Sequence, residues 1–309
     1  MKKAIVVLIV MVCLTAGIWG IFMLRGSAGK AGGHVENDNG NPGVAADVTE
    51  SGTTTEEQTA DSQETTEVTE EEKPSLVDET LAGMTLHEKV CQMMFVTPEE
   101  LTGEDGVTVA GDATRQALEN YPVGGIVYFA KNLESQDQVK EMIDNSQKYS
   151  SIGLFVATDE EGGVVNRLMD TVGTTYIGSM YYYKDDGDET AYENAYTIAN
   201  DMSALGFNLD FAPVADVWSN PDNTVIGERA YSDDYAQAAE LVGNAVKGFN
   251  DGGVMCTLKH FPGHGDTAED SHYSSAYVHR TKEEIMADEM QPFRSGIEAG
   301  AEFVMVGHL

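Results

Sequence analysis

The chain has 309 residues, and its composition, 41% hydrophobic and 23% charged, suits a globular protein with two ordinary domains or one large α/β barrel. Its formal net charge of −34 is concentrated, because twelve acidic residues and no Lys or Arg lie between Glu36 and Glu72. Phosphates repel carboxylates, which argues against a nucleic-acid partner.

Three cysteines are too few for a disulfide framework. We expect Cys91 and Cys256 to be buried small hydrophobes, with a disulfide between them as the alternative.

The N-terminus carries an apolar run, Ala4–Leu24, between Met1-Lys2-Lys3 and Arg25. It is longer than a signal-peptide core of about 7–15 residues and can span about 30 Å of hydrocarbon. The two lysines favour a cytoplasmic N-terminus. We therefore predict that residues 1–25 are a single-pass anchor in the cell membrane, with the rest of the chain outside. The alternative is a cleaved signal peptide, for which Gly26-Ser27-Ala28 offers a site, and a secreted protein.

Residues 26–75 are rich in Gly, Thr, Glu and Asp and nearly lack large apolar residues. Such a segment cannot offset its ordering entropy by burial, so we predict a disordered acidic linker.

Residues 76–309 form the predicted catalytic domain. Apolar residues first recur at helical spacing, and Thr85 with Glu88 suits a capping box. Short apolar runs then alternate with amphipathic stretches, an order typical of a parallel sheet covered by helices. Six strands are predicted, at 93–96, 125–129, 154–157, 207–212, 255–258 and 303–306, with helices at 136–149, 189–205, 234–251 and 281–299.

Polar residues follow several of these strands, among them Asp159, Asp216, His260 and His308. A site assembled from the ends of many strands is typical of a TIM (β/α)₈ barrel, whereas an open sheet uses mainly one switch point. There is no GxGxxG or Walker sequence. We predict an α/β fold of the TIM-barrel type, incomplete at Leu309 with about six of eight strands.

The segment Lys259–His272, KHFPGHGDTAEDSH, leaves the fifth predicted strand as a shaped loop. It holds three histidines and two aspartates, and Asp270 is near enough in sequence to orient His272 as a proton donor. One alternative is that these histidines only satisfy backbone groups. Another is a zinc or manganese site at His260, His264, His272 and an aspartate, but no HExxH pattern supports a metal.

Three further groups are candidates for contacts with hydroxyl groups. Asp159 closes an apolar strand and can accept hydrogen bonds, whereas Glu160 beside it is predicted to lie in a solvated acidic turn. Arg229 and Lys259 are candidate hydroxyl donors.

Four motifs closely resemble glycoside hydrolase family 3, in the branch of bacterial β-N-acetylhexosaminidases. They are DEEGGVVNR at 159–167, NLDFAPVADV at 208–217, GERAYSDD at 227–234 and KHFPGHGDTAEDSH at 259–272. The resemblance covers about residues 76–309 and implies a TIM barrel, sometimes followed by a second α/β domain, with no cofactor.

The resemblance also implies residue roles. His272 would be the general acid/base, oriented and charged by Asp270, in place of one carboxylate of the usual retaining pair. The non-reducing N-acetylglucosamine would be bound by Asp159, Arg167, Arg229, Lys259 and His260.

The sequence departs from the family pattern at Glu160, where Gln is usual, and at Val164, where Arg is common. The family nucleophile, an aspartate after strand seven, would lie beyond Leu309. We therefore expect the chain as written to turn over sugar hardly at all, and a premature end of the gene model is our preferred explanation.

The sequence thus predicts an exported retaining hydrolase that removes terminal β-linked N-acetylglucosamine from cell-wall fragments or related glycans. The alternatives are a non-catalytic sugar-binding or adaptor protein on a degenerate barrel and a metal-dependent hydrolase.

Overall fold

The computed structural model describes residues 75–267 and 277–308, together with the backbone of a short strand, β1 (Val7–Ile9). The predicted linker and the rest of the predicted membrane segment lie outside these residues, as do Asp270 and His272. Within the described ranges, no helix is both long and apolar enough to cross a membrane.

Parallel strands and helices alternate along the described chain. The remaining strands are β2 (Phe95–Val96), β3 (Gly125–Val127), β4 (Phe155–Thr158), β5 (Leu209–Asp210), β6 (Met255–Phe261) and β7 (Phe303–Val306). The helices are α1 (Leu76–Gly83), α2 (Leu86–Cys91), α3 (Pro98–Thr102), α4 (Asp112–Asn120), α5 (Gln136–Tyr149), α6 (Leu168–Val172), α7 (Asp188–Leu205), α8 (Tyr235–Asp251), α9 (Lys282–Ala287) and α10 (Met290–Ala299).

The strands form one parallel sheet in the order β1-β7-β6-β5-β4-β3-β2. Strands β2 to β7 are neighbours in sequence order and curl into a half-barrel, which confirms the six predicted strands and the β-then-α order. Strand β1 pairs with β7 on the edge opposite to β6, with Val7 opposite Phe303. Because parallel strands share one direction, the carboxyl ends of β2 to β7 meet at one edge of the sheet.

The two faces of the sheet bury different residues, because side chains alternate along a strand. One face packs against the helices, where Val156 and Leu258 join the main core. The other face, here called the inner face, carries a separate apolar cluster that includes Ala157, Leu209 and Phe303. This alternation continues past the ends of the strands and decides which polar side chains reach the inner face.

Several of the helices begin at side-chain caps. Ser135 and Asp234 accept the backbone N–H groups of the first turns of α5 and α8, and Thr85 forms the predicted capping box with Glu88. Helix α8 crosses α7 closely at Gly248, where an added Cβ would lie 2.3 Å from the Tyr192 carbonyl oxygen.

Two helical predictions need correction. The helix predicted at 281–299 is divided into α9 and α10, because Pro292 cannot donate to the carbonyl of Asp288 and its ring clashes there. The apolar residues at helical spacing near residue 76 do form helices, but Leu76 and Leu86 are 80% and 79% exposed. Helical spacing therefore identified these helices correctly without showing that their apolar faces would be buried.

Gly124 is required at the start of β3, because an added Cβ would lie 2.2 Å from the Gln92 carbonyl oxygen. We predict that Gly124→Ala lowers the free energy of unfolding by about 1–3 kcal/mol through overpacking. The matched control is Gly153→Ala, which meets nothing within 4 Å and should change it by about 1 kcal/mol or less. Urea unfolding measures both, and equal effects would contradict the close approach at Gly124.

Candidate active site

A cavity of about 330 Å³ opens at the carboxyl ends of the strands. Asp159 and Glu161 follow β4 and Lys259 lies in β6, all at positions that alternation directs to the inner face. Arg229 comes from a short 3₁₀ turn, Gly227–Arg229. The charged and aromatic lining includes Asp159, Glu161, Arg167, Arg229, Lys259 and His260.

The floor of this cavity is an ionic cluster centred on Glu161. The ammonium of Lys259 lies 2.9 Å from Asp159 Oδ1 and 2.5 Å from Glu161 Oε1. Arg229 donates from Nε and Nη2 to the two oxygens of Glu161, each at 2.8 Å. The side chains of Lys259 and Glu161 are only 2% and 3% exposed, so both charges depend on these partners.

At Glu161 the effect of charge pairing on the pKa outweighs the effect of burial. Burial alone would raise the pKa of this carboxyl, but the charges of Lys259 and Arg229 and their hydrogen bonds lower it to about 2. Burial likewise favours the neutral form of Lys259, yet Asp159 and Glu161 raise the pKa of its ammonium. Glu161 and Lys259 therefore both carry their charges at neutral pH, with hydrogen-bonding groups held in fixed positions around the cavity.

Arg167 is held less tightly than the other cations of the site. Its Nη2 lies 3.9 Å from Asp159 Oδ2, and its Nε is buried and has no hydrogen-bond partner among the described residues. Its backbone is fixed, because the Glu160 carboxylate accepts the N–H groups of Arg167, Leu168 and Met169 at 2.6, 2.8 and 3.1 Å. A guanidinium with a fixed backbone and only a loose ion pair is well suited to binding a ligand in the cavity.

Glu160 itself corrects a prediction, because it is 4% exposed rather than solvated. Alternation turns it away from the inner face, so that it lies beneath α6 and caps that helix. Burial raises the pKa of Glu160, and the three N–H donors limit the rise.

His260 is fixed by a buried aspartate. Its Nδ1 lies 2.6 Å from Asp216 Oδ2, and Asp216 also accepts the backbone N–H groups of His260 and His264. Burial, reinforced by the charges of Lys259 and Arg229, lowers the pKa of His260 despite Asp216. The neutral ring then donates from Nδ1 to the carboxylate, and its Nε2 remains a hydrogen-bond acceptor.

The turn after β6 is also tightly packed. His264 is 2% exposed, and its Nδ1 lies 2.7 Å from Thr267 Oγ1. At Gly265 an added Cβ would lie 1.6 Å from the Val217 carbonyl oxygen, so only glycine fits there. The peptide bonds before His260 and Pro262 are cis.

A buried carboxyl lies behind this turn. Glu289 is 1% exposed, accepts hydrogen bonds from Tyr235 and Arg280, each at 3.0 Å, and packs against Gly263. Burial, with a smaller effect of Asp216, raises the pKa of Glu289 to about 7. Nothing in the sequence distinguished this residue from the exposed acids of the neighbouring helix.

The five predicted sugar-binding residues, Asp159, Arg167, Arg229, Lys259 and His260, all line this one cavity. Their binding role stays a prediction, as do the roles of Asp270 and His272, which lie outside the described residues. The sequence reasoning missed Glu161, although the alternation from Asp159 would have placed it on the inner face. Within 75–267 and 277–308, Cys91 and Cys256 are buried and unpaired, and no group of three or more His, Cys, Asp or Glu could hold a metal ion.

A parallel sheet with helices on one face and charged residues gathered at its carboxyl edge defines a protein of the α/β barrel class. The chain belongs to glycosyl hydrolase family 3, since the model of that family's N-terminal domain matches residues 85–309.

Several relatives share this region. A β-hexosaminidase of Xylella fastidiosa (strain M12) is 35% identical over 214 residues, 68% of this chain and 63% of the relative. A solved glycoside hydrolase family 3 β-N-acetylglucosaminidase from Paenibacillus sp. str. FPU-7 is 38% identical, with a TM-score of 0.66 over 73% of this chain and 42% of that one. NagZ from Neisseria gonorrhoeae, solved with N-trifluoroacetyl-D-glucosamine, is 28% identical, with a TM-score of 0.62 over 70% and 63%. The chain thus spans less than two thirds of the length of these relatives.

Glu161→Gln tests the ionic cluster. Because the pKa of Glu161 is about 2 in the fold and 4.5 otherwise, its contribution to stability is complete above pH 4.5 and is lost as the pH falls toward 2. The variant should lose about 3–5 kcal/mol at pH 7, where Lys259 and Arg229 are left underpaired, and less at pH 2.5. Urea unfolding at both pH values is the measurement.

The matched control for that variant is Glu119→Gln, which removes an exposed partner of Arg115 at 3.2 Å. It should change stability by less than about 1 kcal/mol at either pH. A loss at Glu161 that does not depend on pH would contradict the role assigned to its charge.

Proposed function

We propose that this chain is the sugar-binding and acid/base portion of a retaining β-N-acetylglucosaminidase that acts on cell-wall fragments or related glycans. The observation that carries the proposal is the convergence of Asp159, Arg167, Arg229, Lys259 and His260 on one cavity. The family membership and the names of the relatives support it. The cavity, about 330 Å³, lies at the small end of the range for ligand sites, which suits a single sugar ring.

The geometry provides each type of contact that a sugar needs. Asp159 is a carboxylate that accepts hydrogen bonds from hydroxyl groups, and Arg167 offers a guanidinium whose Nη2 pairs only loosely, at 3.9 Å, with Asp159. His260 contributes a neutral acceptor nitrogen. Because Glu161 fixes Lys259 and Arg229 before any ligand arrives, little ordering entropy is lost on binding.

For the chemical step we propose the pair indicated by the family resemblance, with His272 as general acid/base and Asp270 as the group that orients it. A carboxylate beside an imidazole raises its pKa and favours the protonated donor. Retaining hydrolysis also requires a carboxylate nucleophile. Since the relatives are longer than the matched region, activity is measured on the complete product of the gene.

Export is part of the proposal, and it requires that Val7–Ile9 leave the pairing with β7. It rests on the apolar run Ala4–Leu24 and the two lysines before it. Fractionation of cells that produce the protein, with protease added to intact cells, tests whether the domain lies outside an anchored N-terminus or is released.

Arg167→Gln tests binding. Loss of a charge-assisted contact should lower kcat/KM for p-nitrophenyl β-N-acetylglucosaminide by about 10- to 100-fold, with little change in stability, because Arg167 pairs only loosely with Asp159. The control Arg115→Gln, on the exposed face of α4, should leave kcat/KM unchanged. Unaltered kinetics in Arg167→Gln would contradict its role in binding.

His272→Ala tests proton transfer. The general acid/base contribution predicts a fall in kcat of about 10²–10⁴-fold with a smaller change in KM. His279→Ala, at an exposed histidine nearby in sequence, is the control and should keep full activity. Undiminished turnover in His272→Ala would refute the role of His272 as the general acid/base. Loss of activity on chelation would favour the metal-dependent hydrolase. Binding of N-acetylglucosamine without hydrolysis would favour the non-catalytic adaptor.

A further inference from the structure

The side chain of Asn223 connects two loops of the candidate site. It lies in the segment between Asp216 and Arg229 and is 1% exposed. Its Nδ2 donates to the His264 carbonyl oxygen at 2.8 Å and lies 3.4 Å from Thr267 Oγ1. Its Oδ1 accepts the backbone N–H groups of Val225 and Ile226 at 3.0 and 2.9 Å.

The acceptor side of this amide leads to Arg229. The Val225 carbonyl oxygen accepts Arg229 Nη1 at 2.8 Å, and the Ile226 carbonyl oxygen accepts the backbone N–H of Arg229 at 3.0 Å. The two residues whose N–H groups Asn223 holds, Val225 and Ile226, are thus the ones whose carbonyl oxygens hold Arg229. The guanidinium then continues to the carboxylate of Glu161.

The donor side leads to the turn after β6. The backbone N–H of His264 donates to Asp216, the aspartate that also orients His260. Because the Asn223 amide holds the carbonyl of the same residue, the backbone of His264 is fixed on both sides, by Asp216 at its N–H and by Asn223 at its carbonyl. One buried side chain therefore ties the turn that follows His260 to the turn that carries Arg229.

We propose that Asn223 is a positioning residue that sets the distance between Arg229 and the His260–His264 turn, and thereby the affinity of the cavity for N-acetylglucosamine. The effect on the sugar rests on the function proposed above. An amide meets both requirements, because it donates from its nitrogen to the His264 carbonyl oxygen and accepts at its oxygen from two N–H groups at once. A carboxylate at this position would meet the His264 carbonyl oxygen with no proton to donate.

Asn208 is a matched control, because its amide makes the same kind of bridge away from the site. Its Oδ1 accepts the N–H of Val156 at 2.8 Å, and its Nδ2 donates to the Leu154 carbonyl oxygen at 2.9 Å. These groups lie at the opposite end of the strands from the cavity. Asn208→Asp therefore reproduces the loss of an amide donor, at a partly buried position, without touching either loop.

The experiment compares Asn223→Asp and Asn208→Asp in the complete gene product, by calorimetric binding of N-acetylglucosamine and by hydrogen exchange of the His264 and Thr267 amides, because Asp loses the donor to the His264 carbonyl oxygen and keeps the acceptor. We expect Asn223→Asp to weaken binding at least tenfold and to speed exchange at these amides more than elsewhere. Asn208→Asp should change affinity less than threefold. In double variants with Arg229→Lys, the effects on affinity should be non-additive for Asn223 and additive for Asn208.

Equal effects of the two variants on affinity, or unchanged exchange of the His264 and Thr267 amides in Asn223→Asp, would overturn the positioning role. If the unaltered protein binds no N-acetylglucosamine, the proposed function fails, and the exchange comparison still decides whether Asn223 holds the His264 turn. If Asn223→Asp does not fold, Asn223→Ala, which removes both the donor and the acceptor, takes its place under the same criteria.

Discussion

The carboxylate of Glu161, buried between Lys259 and Arg229, is the interaction on which the site depends. An ionised carboxyl in so enclosed a place is costly unless its charge and its oxygens are both satisfied. The bidentate contact with Arg229 and the 2.5 Å contact with Lys259 meet both conditions. Three segments far apart in sequence are thereby required to meet at one point, and each depends on the others to be stable there.

The same physical arrangement recurs around the cluster, with a buried carboxylate gathering backbone N–H groups from a loop. Asp216 gathers those of His260 and His264, and Glu160 gathers those at the start of α6. Hydrogen bonds from backbone donors to a charged acceptor are stronger than neutral ones. These carboxylates hold segments that have no β-sheet hydrogen bonds of their own. Their hydrogen bonds therefore fix the backbone of the loops that carry the site.

The sequence predicted most of the fold because the signals are local. Apolar runs identified the six strands, Thr85 identified the start of one helix, and the resemblance to glycoside hydrolase family 3 identified five members of the cavity lining. What local signals could not provide is which helix covers a side chain beyond its strand. Asp159, Glu160 and Glu161 are chemically similar neighbours, yet alternation and the closeness of α6 place the middle one under a helix and the outer two in the cavity.

Longer-range pairings were also beyond the reach of sequence. The contact between His260 and Asp216 joins residues 44 positions apart, and that between Arg229 and Glu161 joins residues 68 apart. The exposure of the apolar residues of α1 and α2 could not be inferred either. Helical spacing shows which residues share a face of a helix, but it does not show what covers that face. Where the prediction of Glu160 was wrong, the cause was tertiary: the missing information was the position of another helix.

In the proposed function, the loop Lys259–His272 has two parts, one of which binds the sugar while the other transfers the proton. Its first part is fixed, with Lys259 in the ionic cluster and with His260 and His264 held by Asp216. Gly265 packs directly on the Val217 carbonyl, so the backbone there admits no alternative residue. In the function proposed here the proton donor belongs to the second part, around Asp270 and His272. Substitutions in the first part should then act mainly on KM and those in the second mainly on kcat, because only the second part takes part in breaking the bond.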